Sequence, residues 1–415
     1  MKIPATTEFT SFEEFLVTFF PGRQDIHYGP GTDTQYVVDI DGNRRSAKGE
    51  DVEKAAKICD YLPYIDFVAS LGGVHINEVA PNISDRYNFA LMLYNTTKPL
   101  MFTAWSLEGL SDIYDMAVAV RGSEENFRKN PFIFLYAEPI TPLTHPKESL
   151  EKLMFSAEKG IPIVYVCAGI TGATAPATTA GALALTNAEF LSGLVISQLT
   201  RKGAPIIYGG GTTPLDMKTT VNLYSGPEFC LFHTALKEMA SFYGLPDFNT
   251  AACTDSKVLD QQAAVDYTFS VIQAGFIGSS IIHDVGYMES GLSASWEGLV
   301  LADEIIDQVR HFLKGIEINK ETLALDVIDQ VGPGCNYLGH EHTARHFREI
   351  WYPKVSNRDN YDNWKRDGAK PLGEVLHEKV DWILKNHTPK MFNENAKAKI
   401  EEILARAKQQ DKNIN

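Results

Sequence analysis

Short apolar runs rich in β-branched and aromatic residues recur along the chain between Tyr64 and Leu338. Most are apolar throughout rather than alternating, which is typical of strands buried on both faces of a parallel sheet. Eight such runs occur, beginning at Ile65, Pro99, Pro131, Pro162, Ala204, Asp247, Phe276 and Cys335. The last of them, CNYLGHE, carries the weakest strand pattern.

Segments with helical periodicity separate these runs and cover residues 84–94, 107–127, 149–159, 178–202, 227–243, 261–273 and 296–313. Five glycines stand just past predicted helix ends, where a left-handed residue closes a helix: Gly160, Gly203, Gly244, Gly275 and Gly315. Strand, helix, strand in this order requires parallel pairing by crossover. The pattern predicts an α/β fold, a (β/α)8 TIM barrel. An open doubly wound sheet gives the same alternation, but no GxGxxG or GxxxxGK[ST] motif follows an early strand.

We predict three parts: an N-terminal cap over residues 1–60, the barrel over 61–350 and a C-terminal helical extension over 351–415. Within the cap, Asp41-Gly42 in YVVDIDGNRR predicts a hairpin. The extension ends in an amphipathic helix over 393–410 with Ile400, Ile403 and Leu404 on one side.

The formal charge of −15 argues against a general nucleic-acid or membrane-surface role, because no basic stretch is long enough to oppose it. The N-terminus lacks a basic and apolar leader pattern, and no run reaches the length of a membrane span. Five scattered cysteines suit reduced thiols better than a disulfide framework. We therefore expect a cytoplasmic protein.

Candidate chemistry lies at the strand ends, because the carboxyl ends of barrel strands form the active face. The segment YGGGTTPLDMKTT contains Gly209, Gly210, Gly211 and Asp216, and its glycines can either admit a ligand or merely satisfy a tight turn. The next segment, IIHDVGYMESGLSAS, places His283 at a strand end, where histidine serves either a ligand or a structural hydrogen bond. Tyr287, Glu289 and Gly291 follow in the same segment.

The segment GPGCNYLGHEHTARHFRE carries three histidines. His342 and His346 have the i, i+4 spacing that puts two imidazoles on one helix face, yet the HExxH general base is missing. A third zinc ligand would have to come from other strand ends, at Cys167, Cys253, His283 or Cys335. We expect no metal here.

Aromatic residues are plentiful at the same rim: Trp105, Tyr136, Tyr165, Tyr208, Tyr287, Trp296 and Tyr337. Ordinary packing explains any one of them. Together, several could surround a quaternary ammonium, since each ring contributes roughly 0.5–2 kcal/mol to a desolvated cation.

The chain resembles the trimethylamine methyltransferase superfamily of corrinoid-dependent methyltransferases. The resemblance lies in segments from Arg44 onward, among them AGITGATAPATTAGALALTNAEFLSGLVISQL, GAPIIYGGGTTPLDMKTT, TDSKVLDQQA, IHDVGYMESGLSASWEGLVLADEII and LALDVIDQVGPGCNYLGHEHTARHFRE. It implies a (β/α)8 barrel whose active face docks a separate corrinoid protein and passes a methyl group to its Co(I). The start at MKIPATTEF implies a shorter N-terminal portion than the family's.

The trimethylamine enzyme of this superfamily carries pyrrolysine, whereas this chain consists of ordinary residues. The resemblance therefore implies a quaternary amine, glycine betaine or a close relative, as methyl donor. We expect Trp105, Tyr136, Tyr208 or Tyr287 to hold the cation and His283, His342 or Arg345 to meet a substrate carboxylate. Asp216 and Glu228 would attract the ammonium or brace that shell, and Gly209, Gly210, Gly211 and Gly291 would face the corrinoid.

Two other functions remain open from the residues alone. One is a zinc-assisted methyltransferase for a thiol or methanol, and the other is a non-catalytic protein that binds betaines. In every case we expect a small-molecule ligand, no nucleic acid or membrane, and assembly as a homo-oligomer.

Overall fold

The computed structural model describes residues 26–74, 78–390 and 392–414. A parallel seven-stranded sheet forms its centre. In spatial order its strands are His27–Pro30, Ile281–Val285, Asp247–Thr250, Ile206–Gly210, Ile163–Cys167, Ile133–Ala137 and Leu100–Phe102. From Leu100–Phe102 onward, each strand lies beside the strand that precedes it in the chain. The first strand, His27–Pro30, lies beside the last one, Ile281–Val285.

An extended segment over 65–69 joins the two ends of this sheet. On one side, the amide of Asp66 donates to Tyr28 O at 2.6 Å. On the other, Val68 N donates to Pro99 O at 2.9 Å, and Met101 N donates to Val68 O at 2.8 Å. The sheet is therefore closed into an eight-membered barrel, which confirms the predicted architecture.

The assignment of strands to that barrel was wrong at both ends. The first strand is His27–Pro30, which lies ahead of the predicted boundary at residue 60 and is too short and too rich in glycine and proline to give a strand pattern. The run at Cys335 forms no strand and lies in an exposed segment between helices Leu325–Val331 and Glu341–His346. The eighth strand is instead Ile281–Val285.

Alternate residues of the strands point into the barrel, as the two-residue period of a strand requires. The interior is one apolar cluster: Phe67, Ala69, Met101, Phe134, Val164, Val166, Ile207, Phe248 and Ile281. The intervening residues pack outward against the helices in a second and larger core. Because both faces of each strand are apolar, the strands appear in the sequence as uninterrupted apolar runs.

Helices follow the strands and surround the barrel. They are Gly49–Tyr61, Ser84–Asn95, Leu107–Arg121 with Glu124–Lys129, Lys147–Lys159, Thr179–Thr200, Pro227–Tyr243, Gln261–Ile277 and Trp296–Leu313. Gly160 and Gly244 are left-handed C-caps as predicted. Gly275 is not a cap: it lies inside its helix, where a Cβ would meet Leu313 Cδ1 at 2.8 Å, and Gly278 closes the helix.

Helix Thr179–Thr200 is long and apolar enough to cross a membrane by length and composition. In this fold it packs against the barrel wall, where Gly193 lets the ring of Tyr165 approach closely. All five cysteines are free thiols, as predicted.

Two small sheets form a collar at the carboxyl ends of the barrel strands. One pairs Ile170–Thr171, Thr213–Asp216 and Val221–Asn222, and the other pairs Tyr36–Val38, Arg44–Ser46, Tyr287–Met288 and Ser293–Ala294. The second contains the predicted hairpin at Asp41-Gly42. Short 3-10 turns occur at Pro81–Ile83, Glu289–Gly291 and Phe347–Glu349.

The chain continues past the barrel through helices Lys320–Leu323, Leu325–Val331, Glu341–His346, Tyr361–Arg366, Leu372–Asn386 and Glu394–Ile414. The last of these is the predicted amphipathic helix, with Ile400 and Ile403 fully buried. Arg406 on it donates to Asp112 Oδ1 at 2.6 Å and so ties the C-terminus to helix Leu107–Arg121.

Candidate active site

Six side chains from three barrel strands and the loops that follow them meet at the carboxyl end of the barrel, and we refer to them as the mouth cluster. They are Tyr136, Glu138, Tyr224, His283, Asp284 and Tyr287. Tyr136 shares the inward face of its strand with Phe134, and its ring centroid lies 5.8 Å from that of Phe248 and 5.9 Å from that of His283. The cluster therefore sits directly on top of the apolar interior.

His283 forms the floor of the mouth and is held on every side. Its ring stacks on Phe248 at a centroid distance of 4.2 Å. Its Nδ1 lies 2.7 Å from Asp284 Oδ1, and its Nε2 lies 2.9 Å from the hydroxyl of Thr250. An ionised carboxylate can only accept, so the proton on the Asp284 side belongs to Nδ1. With both nitrogens engaged, His283 has a fixed orientation and no nitrogen left for a substrate carboxylate.

Glu138 extends above this floor. The hydroxyl of Tyr136 donates to Glu138 Oε1 in a short hydrogen bond, and Ser149 anchors the Glu138 backbone carbonyl at 2.8 Å. The carboxylate remains within reach of solvent, yet the surrounding protein displaces much of its water and raises the pKa of Glu138 above the ordinary value. Glu138 is thus a partly desolvated carboxylate beside an aromatic ring.

Three phenol rings make the wall of the mouth. Tyr224 and Tyr287 lie with centroids 6.4 Å apart, and Tyr287 donates to the backbone oxygen of Thr32. Burial raises the pKa of all three tyrosines, Tyr136 included, so each phenol keeps its proton. Neutral rings beside carboxylates form the kind of surface that attracts a cation.

Further carboxylates surround the mouth cluster and are held by neutral donors. Asp33 accepts from Ser70 Oγ at 2.7 Å and from Thr103 Oγ1 at 2.9 Å. Asp255 accepts from Tyr224 N at 2.8 Å and from Ser290 Oγ at 2.8 Å. The electrostatic field at the mouth therefore favours positive charge.

Backbone strain is concentrated in the same loops. Among the described residues, nine other than glycine have a positive φ, and seven of them lie at the end of a barrel strand or in the loop after one: Asp33, Leu143, Thr220, Ala252, Asp284, Glu289 and Ser290. Each such residue costs on the order of 1 kcal/mol, and strain of this kind collects at functional sites. Asp284, with φ at 70°, is the strained residue that orients His283.

Of the predicted site residues, the structure brings Tyr136, His283 and Tyr287 into the mouth. Gly291 lies beside them, since a Cβ at that position would be 3.4 Å from the ring of Tyr287. Gly211 directly follows strand Ile206–Gly210, where a Cβ would be 3.2 Å from Cγ1 of the interior residue Val166.

Other predicted residues lie elsewhere. Tyr208 points out of the barrel, where its hydroxyl donates to Asn187 Oδ1 at 2.9 Å and its ring packs on Phe190, so it cannot hold a cation in the mouth. Gly209 and Gly210 are buried in the same strand and present no surface to a corrinoid. They allow close packing against Val164 and Leu236 instead.

The predicted acidic and aromatic rim residues have local structural roles. Asp216 closes its own turn by accepting from Thr219 Oγ1 at 2.7 Å and Lys218 N at 2.9 Å, and these bonds lower its pKa. Glu228 is exposed in the first turn of helix Pro227–Tyr243, where an acid complements the helix dipole. Trp105 is 51% exposed at the rim, and its indole donates to Ser84 Oγ at 2.9 Å.

His342 and Arg345 lie on the exposed helix Glu341–His346, because the predicted strand before them does not form. Arg345 Nη2 is 2.8 Å from Glu321 Oε1, and His342 Nε2 is 3.3 Å from the Glu321 backbone oxygen. Glu321, His342 and His346 place ligand atoms within 4.8 Å of one another, the one such group of three in the described part of the chain. Glu321 and Glu349 hydrogen-bond to His346 and raise its pKa.

The thiols near the strand ends are buried. Burial raises the pKa of both Cys167 and Cys253 well above the ordinary thiol value. Cys253 donates to Tyr224 O at 3.1 Å.

Three members of the mouth cluster were not among the predicted site residues. Glu138 was visible as the polar end of the run PFIFLYAE, two residues beyond Tyr136 on the same face. Asp284 was visible beside His283. Tyr224 had no signal, since it follows a collar strand and reaches the mouth only through folding.

Comparison with known proteins identifies the family of this chain. A sequence model of the trimethylamine methyltransferase family matches residues 20–411. A trimethylamine methyltransferase from Desulfitobacterium hafniense is 30% identical over 360 residues, which are 87% of this chain and 72% of that protein. A glycine betaine methyltransferase from the same species is 30% identical over 390 residues, covering 92% of this chain and 80% of that protein.

Among solved structures, the monomethylamine methyltransferase of Methanosarcina barkeri aligns with 87% of this chain and 73% of its own, at 10% identity and a TM-score of 0.46. The family match extends over nearly the whole chain and confirms the resemblance found in its motifs. This chain belongs to the trimethylamine methyltransferase family.

Proposed function

We propose that this protein transfers a methyl group from a quaternary amine of the betaine type to the Co(I) of a separate corrinoid protein. The observation that carries the proposal is the mouth cluster, in which three neutral phenol rings stand beside the carboxylates of Glu138 and Asp284. The relative that is named a glycine betaine methyltransferase supports the same choice of substrate.

A quaternary ammonium suits this site because it carries charge but offers no N–H donor. Rings attract it through their faces, and carboxylates attract it through space without a hydrogen bond. Two of the three phenol hydroxyls, those of Tyr136 and Tyr287, already have acceptors within the protein.

Methyl transfer from a quaternary amine requires no acid or base from the protein. When the N–CH3 bond breaks, its electron pair stays on nitrogen, and the leaving group is a neutral tertiary amine that needs no general acid. Tyr136, Tyr224 and Tyr287 would therefore bind and orient the cation with one methyl group directed out of the barrel. Positioning of this kind lowers a barrier by several kcal/mol, up to about 7–11 in the best intramolecular reactions.

The methyl acceptor has to approach from solvent, and the mouth is open in that direction, since Glu138 is accessible above the floor. Co(I) supplies the nucleophile. Gly211 and Gly291, which add no side chain to the rim, are the residues of this chain that we assign to the corrinoid-facing surface.

We expect the purified protein, mixed with Co(I) cobalamin and glycine betaine, to consume the Co(I) absorption and release one dimethylglycine per methyl group transferred. Trimethylamine serves as the matched tertiary amine and is expected to give no change. Visible spectroscopy with mass analysis of the amine measures both. Consumption of Co(I) by none of a panel of quaternary amines would refute the proposal.

The same chain exposes two apolar surfaces, which support the proposal of a homo-oligomer. The outer helix faces expose Val195, Leu199, Leu231, Phe242, Val265, Phe269, Phe276 and Phe312. Residues 316–352, which we call the arm, expose Ile316, Ile318, Leu325, Ile328, Leu338, Ile350 and Tyr352, and its helices bury no residue. Apolar surface on this scale is typical of permanent interfaces rather than of transient docking.

We expect light scattering after gel filtration to give a mass of at least twice the 46.1 kDa of one chain. Phe242→Asp should shift the mass toward the monomer, because it places a charge on the outer helix face. Ile140→Asp, at an exposed residue outside both surfaces, is the control and should leave the mass unchanged. A monomeric wild-type protein at micromolar concentration would contradict the prediction.

A further inference from the structure

A lysine reaches the mouth from the helix that follows the Tyr136 strand. Lys152 lies one turn beyond Ser149, the residue that anchors the Glu138 carbonyl. Its Nζ donates to the backbone oxygen of Ala104 at 2.8 Å, just past the end of strand Leu100–Phe102. The ammonium therefore sits between two neighbouring strand ends, on the same side of the mouth as Glu138.

Lys152 has no ion-pair partner among the described residues, although carboxylates surround it. Loss of water lowers the pKa of Lys152, while Glu148, Asp85 and Glu138 act on it through space and raise it by less. Asp85 is occupied by the amides of Trp105 and Arg86, both at 2.9 Å, and Glu138 by the hydroxyl of Tyr136. A half-buried ammonium with one backbone acceptor has N–H donors still available.

The basic side chains that the sequence suggested as partners of a substrate carboxylate are engaged elsewhere. Both nitrogens of His283 are engaged by Asp284 and Thr250. Arg345 pairs with Glu321 on the arm, outside the mouth. Lys152 is thus the basic side chain beside the mouth cluster that retains capacity for an anion.

We infer that Lys152 receives the carboxylate of a zwitterionic quaternary amine whose ammonium lies against Tyr136, Tyr224 and Tyr287, an inference that rests on the proposed function. The Lys152 ammonium already donates to the backbone oxygen of Ala104, and the substrate carboxylate would accept from its remaining N–H groups. Because the bond is charge-assisted, it both strengthens binding and fixes which methyl group faces the acceptor. Lys152 would then select betaines over quaternary amines that end in a hydroxyl or a methyl group.

The test is Lys152→Gln, measured by calorimetric binding of glycine betaine and of tetramethylammonium, with KM and kcat from the methyl-transfer assay. We expect affinity for glycine betaine to fall by about 10- to 100-fold and affinity for tetramethylammonium to stay unchanged. KM should rise more than kcat falls. Lys152→Arg should restore part of the preference for glycine betaine.

Lys147→Gln, which removes an exposed charge from the first turn of the same helix, is the matched control and should affect neither ligand. An equal loss for both ligands in Lys152→Gln would show a structural role and overturn the inference, as would no loss for either. If the wild-type protein binds neither ligand, the proposed function itself fails, and that outcome is distinguishable because it does not involve the variant.

Discussion

Glu138→Gln is expected to weaken binding of glycine betaine by about 2–3 kcal/mol, or roughly 30- to 140-fold in Kd. The substitution keeps the size and the hydrogen bond from Tyr136 but removes the negative charge beside that ring. Glu138 remains accessible to solvent, which screens part of the attraction, while the surrounding protein displaces some of the water around its carboxylate. Isothermal titration calorimetry at neutral pH measures the change.

The pH dependence has a definite sign. The pKa of Glu138 lies above its ordinary value because burial disfavours the charged form. Only the ionised carboxylate attracts the ammonium, so affinity is full above that pKa and declines as the pH falls through it. The bound cation in turn stabilises the ionised form and lowers the pKa of the complex. In Glu138→Gln this acidic decline should be absent.

Two variants isolate the effect. Glu158→Gln makes the same change of charge at an exposed residue at the far end of helix Lys147–Lys159 and should leave Kd unaltered. Tyr136→Phe removes the hydroxyl but keeps the ring, so it should have a smaller effect than Glu138→Gln. An unchanged Kd for glycine betaine in Glu138→Gln would rule out Glu138 as a ligand-attracting group.

The second large effect is expected for stability, in Asp112→Ala. Asp112 is buried between three helices and accepts from Arg86 Nε at 2.8 Å and from Arg406 Nη2 at 2.6 Å. Removing it leaves the Arg86 guanidinium, which is only 2% exposed, with Asp85 and the backbone of Asn82 as its remaining partners. Breaking a buried pair costs about 3–5 kcal/mol when one charge is left unpaired, and we expect the lower end, about 3 kcal/mol, because Asp85 still pairs with the Arg86 guanidinium.

The loss should appear first in helix Glu394–Ile414, which Arg406 ties to the barrel. We therefore expect a lower midpoint of thermal unfolding together with faster hydrogen exchange in residues 394–411. Glu125→Ala, at a position on the neighbouring helix Glu124–Lys129 whose side chain is 77% exposed, is the control and should change the unfolding free energy by at most about 0.5 kcal/mol. Unaltered hydrogen exchange at the C-terminus would contradict this account of the network.

The barrel was predictable because its local signals agree. Continuous apolar runs, helical periodicity and terminal glycines such as Gly160 and Gly244 all specify the same alternation, and helices Pro227–Tyr243 and Trp296–Leu313 have their predicted bounds. The strand count failed where these signals are weak. His27–Pro30 gains its place by pairing with Ile281–Val285, which is a long-range contact with no local pattern.

The site was only partly predictable. Tyr136 and Tyr208 look alike in sequence, since each lies in an apolar strand run, yet Tyr136 faces inward with Phe134 while Tyr208 faces outward beside Ile207. When both faces of a strand are apolar, the sequence does not show which alternate residues face the barrel interior and which face the helices. The assignments of His342 and Arg345 failed for another reason, because they depended on an eighth strand at Cys335 that does not form.

The sequence by itself determined the alternation of strand and helix, the positions of most helices and the family, because these depend on residues that are neighbours in the chain. The tertiary structure decided which strand closes the barrel, which aromatic residues face the mouth, and that Glu138, Tyr224 and Asp284 meet there. Closure of the sheet brings the carboxyl ends of all its strands to one rim, and only then do residues far apart in the chain share one electrostatic environment.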